Sequence, residues 1–271
     1  MIDSHAHYDH SRFDCGRDNI LQKMHEEGLE YCINPAIGYE SNYDMMKKLD
    51  KYDWTYYAVG LHPNCVNQAV DDDDWHEQQL RELLSHKKVV AVGETGLDSS
   101  FIARRFLMDV SDEYRRLVVK RQIEWFHRLI GLSIEADLPL ILHVRGLHKK
   151  CLEILDEYKG QNLRGVIHCY NYDTETAWEY INRGFKLGIG GMVTRESKCG
   201  KLRDCVRDIS MEHILLETDS PFLIPQDVAG KRNSSANIPV IAKTVADLKG
   251  MSVEEVIMVS DENIKKMFKI G

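Results

Sequence analysis

Apolar and polar positions along the chain follow two rhythms. Eight short runs are apolar and rich in β-branched residues: 1–4, 30–35, 54–60, 89–93, 139–142, 165–167, 186–189 and 214–217. Between them apolar positions recur at helical spacing, over 18–27, 40–52, 74–85, 111–136, 147–158, 174–183, 198–209 and 238–248, with a further stretch at 252–268. Runs that are apolar throughout cannot lie against water, so they predict parallel strands covered by helices. Eight such units in 271 residues predict an α/β fold, a (β/α)8 barrel forming one domain over 1–271 with an extra C-terminal helix. The competing arrangement is a doubly wound open sheet, but no Gly-x-Gly-x-x-Gly follows any strand.

Composition narrows the picture. An apolar fraction of 43% supports a large core, and a net charge of −8 argues against coating nucleic acid or membrane by bulk electrostatics, while leaving room for a local basic cleft. The seven cysteines are scattered without a Cys-x-x-Cys, so neither a disulfide framework nor a zinc ribbon is predicted, and reduced thiols of a cytoplasmic protein are expected. No apolar segment reaches about 18 residues and no basic start leads into an apolar run, which predicts neither membrane spanning nor export. The acidic run at 71–74 reads as carboxylates favouring a helix N-terminus rather than a metal site.

The chemistry gathers at the C-terminal ends of the strands. The first run leads into His5 and His7; at i and i+2 on extended chain both imidazoles share a face, about 7 Å apart at the backbone. The third run ends at His62, the fourth at Glu94, the fifth at His143 and Arg145, the sixth at His168, and the eighth at Asp219; the second and seventh bring nothing titratable. A (β/α)8 barrel builds its active site on that one face. The other histidines (His10, His25, His76, His86, His127, His148 and His213) fall in loops or helical segments and read as surface or packing residues.

Such a mixed imidazole and carboxylate set suits two divalent ions, which a bridging carboxylate holds about 3.5–4 Å apart. A water bound there loses its proton near neutral pH and becomes the nucleophile, and a strand-end aspartate can take that proton as general base.

In the order Asp3-Ser4-His5-Ala6-His7, Gly60-Leu61-His62-Pro63, Gly93-Glu94-Thr95-Gly96-Leu97-Asp98, Leu140-Ile141-Leu142-His143-Val144-Arg145, His168-Cys169-Tyr170 and Glu217-Thr218-Asp219-Ser220-Pro221, these motifs resemble the TatD-like metal-dependent deoxyribonucleases among the amidohydrolase-type barrels. Arg232-Asn233, Pro239 and Asn263 fit as weaker echoes, and the resemblance spans essentially the whole chain. It implies that His5, His7 and Asp219 hold one metal, His143 and His168 a second, and that Glu94 bridges them. It further implies that His62 contacts the scissile phosphate and Arg145 binds phosphate. The implied substrate is DNA cleaved from an end, with single-stranded ends and 3′-5′ polarity expected, and with Mg²⁺ or Mn²⁺ as activators ahead of Zn²⁺. The chain departs from the family pattern at Asn64, at Ser99-Ser100, at Gly146 and through the segment 99–111, positions that line the substrate groove rather than the metal shell.

A phosphodiester substrate calls for positive charge and stacking surfaces near the site. The segment 99–111 supplies Phe101, Arg104, Arg105 and Phe106; Lys149, Lys150, Lys231 and Arg232 follow other strands, with Tyr170 and Tyr172 after the sixth. Two further readings compete: a hydrolase of a non-DNA ester, amide or small phosphoester, and an inactive metal-binding barrel serving a partner. No ligand or base is eroded, which ranks the last lowest, and nothing in the sequence indicates a protein partner.

Overall fold

The computed structural model describes residues 1–68, 72–100, 111–226 and 228–271, with Gln68 described in its backbone alone. Eight strands form one parallel sheet in chain order: β1 (Ile2–Asp3), β2 (Tyr31–Pro35), β3 (Thr55–Val59), β4 (Val89–Asp98), β5 (Leu140–Arg145), β6 (Gly165–Ile167), β7 (Phe185–Ile189) and β8 (Ile214–Leu216). The chain past β8 returns to the chain past β1. Ser4 N–H donates to Leu216 O at 3.2 Å, and Ala6 bridges Ser220 in parallel, so the eight strands curl into a nearly closed barrel. The buried Asp3 carboxylate pins that seam, accepting Thr218 N–H at 3.0 Å and the hydroxyls of Thr218 and Ser235 at 2.6 Å each.

Every predicted helix forms, with ends within three residues of expectation: α1 (Arg17–Glu26), α2 (Tyr39–Leu49), α3 (Asp73–Leu83), α4 (Asp112–Ala136), α5 (His148–Glu157), α6 (Thr174–Ile181), α7 (Gly200–Asp208), α8 (Ile238–Lys249) and α9 (Val253–Phe268). Local chemistry sets their starts. Asp72 caps α3 by accepting Trp75 N–H, Ser111 caps α4, Asp173 caps α6, and Ser252 with Glu255 forms a reciprocal capping box on α9. Asp73 and Asp74 sit in the first turn of α3 and pair with Arg121 and Arg128 of α4, the helix-start role expected of that acidic run; Asp71 lies outside the described residues.

The barrel interior changes character along its axis. Its lower layer is apolar: Ile2, Ile33, Ala58, Ile141, Val166 and Leu215 pack there against Ile264, Met267 and Phe268 of α9, which plugs the N-terminal mouth. Burying each large side chain contributes about 1.5–3 kcal/mol. Two residues further on, with the same parity, the chain turns polar: Ile141 is followed by His143, Val166 by His168, and Leu215 by Glu217. The floor is therefore the core, and the mouth carries the chemistry. Two strands run past their predicted C-terminal ends. Strand β4 continues through Glu94 to Asp98 and β5 through His143 to Arg145, because each supplies the other's ladder: Gly96 pairs with His143, Leu97 with Val144, and Asp98 with Arg145. Among the described residues no helix is long and apolar enough to cross a membrane.

Candidate active site

At the C-terminal mouth Glu94 stands at the centre, 2% exposed. Its two carboxylate oxygens face different groups. Oε2 lies 3.5 Å from His5 Nε2 and 3.8 Å from His7 Nε2. Oε1 lies 2.9 Å from His143 Nδ1, 3.6 Å from His62 Nε2 and 3.9 Å from His168 Nε2. Asp219 closes the other side, its Oδ1 3.4 Å from His7 Nε2, 3.8 Å from His168 Nε2 and 3.9 Å from His5 Nε2. His5, His7, Glu94, His143, His168 and Asp219, all selected in the sequence, are thus brought together. Among the triads that bring donor atoms within 4.8 Å of one another, two frame the mouth: His5, His7 and Asp219, and His62, Glu94 and His143. His168 lies between them, its ring stacked on His5 at 3.4 Å between centroids, while His62 stands beside His143.

Hydrogen bonds decide which ring nitrogen faces inward. His7 Nδ1 lies 3.1 Å from Pro35 O, an acceptor only, so Nδ1 carries a proton and Nε2 points at the centre. His62 is the reverse: its Nδ1 accepts Asn64 N–H at 3.1 Å, so Nε2 carries the proton and the neutral ring is a donor into the cavity. That tautomer suits a phosphate contact and not a metal ligand, although His62 stands within reach of Glu94 and His143.

The electrostatics of the side chains show how much positive charge the site asks for. His5 Nε2 and His7 Nε2 are 3.1 Å apart, too close for two cations. Burial, with help from the neighbouring imidazoles, pushes His5 down; burial also opposes charge on His7, but the hydrogen bond and charge of Asp219, with Glu94, raise it to about 9. His143 behaves likewise. Burial works against its charge, yet the hydrogen bonds to Asp98 and Glu94 raise it to about 9, placing an imidazolium between two carboxylates. Burial and the adjacent His143 push His62 down to about 3. Burial would raise Glu94 and Asp219, but the surrounding imidazoles hold both below the usual carboxylate range. Six nitrogen and oxygen donors, four of them buried and His143 and Asp219 half-buried, with protons standing where positive charge is needed, fit divalent cations.

Several functional side chains escaped the sequence reading. Asp98 accepts from His143 Nε2 at 3.2 Å, from Asn64 Nδ2 at 3.1 Å and from Ser100 at 2.7 Å, and its own backbone is clamped by both ends of the buried Gln122 amide. Glu217 lies 3.0 Å from His168 Nδ1. Their spacing is the available signal: Asp98 stands four residues past Glu94 on β4, and Glu217 two residues past the inward Leu215 of β8. A cavity of about 490 Å³ opens over Glu94, Asp98 and His62, and an adjoining one of about 430 Å³ extends past Tyr172 and Met192; Arg145, His143, His168, Asp219 and Phe222 line both.

Of the substrate candidates, Arg145 is exposed at this mouth and, among the described residues, its guanidinium carries no ion pair. Arg104 and Arg105, with Phe101 and Phe106, lie outside the described residues. Tyr170 requires correction. It is 2% exposed and its hydroxyl donates to Asp173 O at 2.5 Å, so it is a core residue and offers no stacking face. Cys169 has φ +50°, and this left-handed step breaks the alternation that would have turned residue 170 toward the mouth. Lys150 pairs with Glu153, and Arg232 folds over the Phe13 ring onto Arg12 O.

Similarity to known proteins agrees with this geometry. A family model described as TatD-related DNase matches residues 2–269. The uncharacterized metal-dependent hydrolase YabD of Bacillus subtilis (strain 168) is 31% identical over 272 residues, covering 100% of both chains. The 3′-5′ ssDNA/RNA exonuclease TatD of Cronobacter sakazakii is 28% identical over 275 residues, covering 99% of this chain and 97% of its own. The crystal structure of YjjV, a TatD homologue from Escherichia coli K12, superposes with a TM-score of 0.86 at 27% identity, covering 100% of this chain and 98% of that one. The chain belongs to the TatD-related DNase family of metal-dependent hydrolases.

Proposed function

We propose that the protein removes nucleotides from the 3′ ends of single-stranded DNA, in the cytoplasm, with two divalent ions, Mg²⁺ or Mn²⁺ ahead of Zn²⁺. The observation that carries the reading is Glu94 at the centre of the mouth, one carboxylate oxygen toward His5 and His7 and the other toward His143. In this reading His5, His7 and Asp219 would hold one ion, His143 and His168 the other, with Glu94 serving both. When bound, such ions supply Lewis acidity at the phosphodiester and a nucleophile at neutral pH.

The chain's own groups supply the rest. Asp219 is the more open of the two central carboxylates, its side chain 14% exposed against 3% for Glu94, and it is ionised at neutral pH, so its Oδ1 can take a proton as general base. His62 Nε2–H donates to a phosphate oxygen at the cavity wall, held in that tautomer by Asn64 N–H. The Arg145 guanidinium at the rim, between the two cavities, receives a phosphate by charge-assisted hydrogen bonds. A site that binds a few phosphates gives affinity with a shallow salt dependence, unlike a protein with a long duplex footprint.

The test is 5′-labelled single-stranded DNA incubated with Mg²⁺, Mn²⁺ or EDTA, alongside Glu94→Ala. A ladder shortening from the 3′ end, abolished by EDTA and by the substitution, is the expected result. Intact DNA with either metal, while elemental analysis still finds bound ions, sinks the DNA reading and leaves hydrolysis of another ester.

A further inference from the structure

We propose that Glu217 is a positioning residue: it accepts the Nδ1 proton of His168, fixes that ring's tautomer, and so turns the Nε2 lone pair into the mouth. The proposal rests on the metal-dependent reading above and goes beyond it in assigning a carboxylate that takes no part there.

Glu217 is 1% exposed, on the inner parity of the barrel, two residues past Leu215. A carboxylate buried so fully needs compensating partners. Its Oε1 lies 3.0 Å from His168 Nδ1 and accepts Cys169 N–H at 2.6 Å, while His168 is its sole ion-pair partner among the described residues. The His168 contact has the distance of a hydrogen bond without its alignment. The other oxygen, Oε2, has no hydrogen-bond partner among the described residues. The carboxylate leans on Gly188, where a Cβ would fall less than 3.0 Å from Oε2, closer than real Cβ atoms approach anything. Across the stack, His5 Nδ1 is a further buried nitrogen without a hydrogen-bond partner, and His5, His168 and Glu217 bring donor atoms within 4.8 Å of one another.

Glu217 thus meets His168 from the side opposite Glu94 and Asp219, which face Nε2. With a cation in the mouth, a carboxylate behind the histidine leaves one arrangement that satisfies both ends: proton toward the carboxylate, lone pair toward the mouth. Gly188 is what makes room for it. Without Glu217 the ring is free to carry its proton on Nε2, with the lone pair facing away from the site, and removal of such a partner ordinarily weakens metal affinity about 10–100-fold.

The experiment titrates wild type, Glu217→Gln, Glu217→Ala and Gly188→Ala with Mn²⁺ alone by calorimetry, and records the downfield proton spectrum of the Zn²⁺-loaded proteins for a slowly exchanging His168 Nδ1–H. Expected are a loss of Mn²⁺ affinity of about 10–100-fold in Glu217→Ala with loss of the Nδ1–H resonance, a smaller loss in Glu217→Gln, whose carbonyl oxygen still accepts, and a loss in Gly188→Ala, which keeps the carboxylate but displaces it. Mn²⁺ affinity of Glu217→Ala within about twofold of wild type, or an unchanged Nδ1–H resonance, overturns the proposal. A wild type that binds no Mn²⁺ overturns both this role and the metal-dependent reading. Intact DNA in the nuclease assay, with Mn²⁺ affinity present in wild type and lost in the variants, upholds Glu217 and fails the nuclease reading alone.

Discussion

Gly60→Ala puts the architecture of the mouth to a quantitative test. Gly60 follows β3, two residues before His62, and packs directly on the backbone of Gly93, the residue before Glu94. A Cβ at position 60 would lie 2.6 Å from Gly93 C and 2.7 Å from Gly93 O. Ordinary contact requires roughly 3.4 Å or more, so the two backbone segments must part by about 0.8 Å. Nothing nearby is soft. The obstacle is backbone, and the buried Asn42 amide grips Gly60 from behind, donating to its carbonyl at 2.9 Å and accepting its N–H at 3.0 Å. Overpacking of this kind costs about 1–3 kcal/mol, here at the upper end, offset by about 0.4–1 kcal/mol from the stiffer unfolded chain. A net loss of about 2 kcal/mol is expected in urea denaturation. The functional loss should be larger in proportion, because the same displacement widens the 3.6 Å gap between His62 Nε2 and Glu94 Oε1. A misplacement near 1 Å costs on the order of 100-fold in rate. Wild-type stability together with wild-type cleavage would refute the close-approach reasoning.

Other consequences can be checked on the same protein. Gly131 lies in the last third of α4, and an alanine methyl there would meet nothing within 4 Å, so Gly131→Ala should stabilise by about 1 kcal/mol in urea without altering cleavage, and destabilisation would contradict the open surface assigned there. Gln122→Leu strips the Asp98 backbone N–H and carbonyl of buried partners at 3.0 Å each, at about 1–3 kcal/mol apiece, and should cost about 2–6 kcal/mol by denaturation while loosening the carboxylate that braces His143. In EDTA, His7 and His143 sit near 9 against an ordinary 6.5, so the folded protein holds protons the unfolded chain has released. That stability is fully present below pH 6.5 and is lost as pH rises through 9; urea midpoints measured at pH 6.5, 7.5 and 9.5 should fall in that order, and rising midpoints would contradict it. His5 and His62, shifted downward, act only on the acid side of this window.

The barrel was legible because its lower half obeys the simplest rule available, apolar runs on buried strands separated by amphipathic helices. The upper half breaks that rule where the chemistry begins. The Glu94-to-Asp98 stretch, with its carboxylates, threonine and glycine, carries none of the apolar pattern of a buried strand, yet it is one, because β5 extends alongside it and their polar side chains meet each other instead of water. The seam at Asp3 was equally hidden, since a carboxylate that burial pushes up to about 6 is tolerable only among the Thr218, Ser235 and His5 donors, and those come together from distant parts of the chain.

Parity separates what the sequence could have told from what it could not. His143, His168 and Glu217 each stand two residues beyond an inward apolar residue, so the rule that selects the first two also points to the third; beside Asp219, which already fills the place of a strand-end carboxylate, Glu217 does not stand out. Tyr170 fails the same rule for a backbone reason. Extended alternation would have sent it back toward the mouth after His168, but the positive φ at Cys169 turns the chain, lets its N–H meet Glu217, and drops the ring into the core. The step that removes an expected stacking surface is therefore the step that brings an N–H to the carboxylate behind His168. What departs from regular strand geometry at this position does so in the service of the site, and the place to look for the rest of the substrate surface is the rim around Arg145, Tyr172 and Phe222 rather than Tyr170.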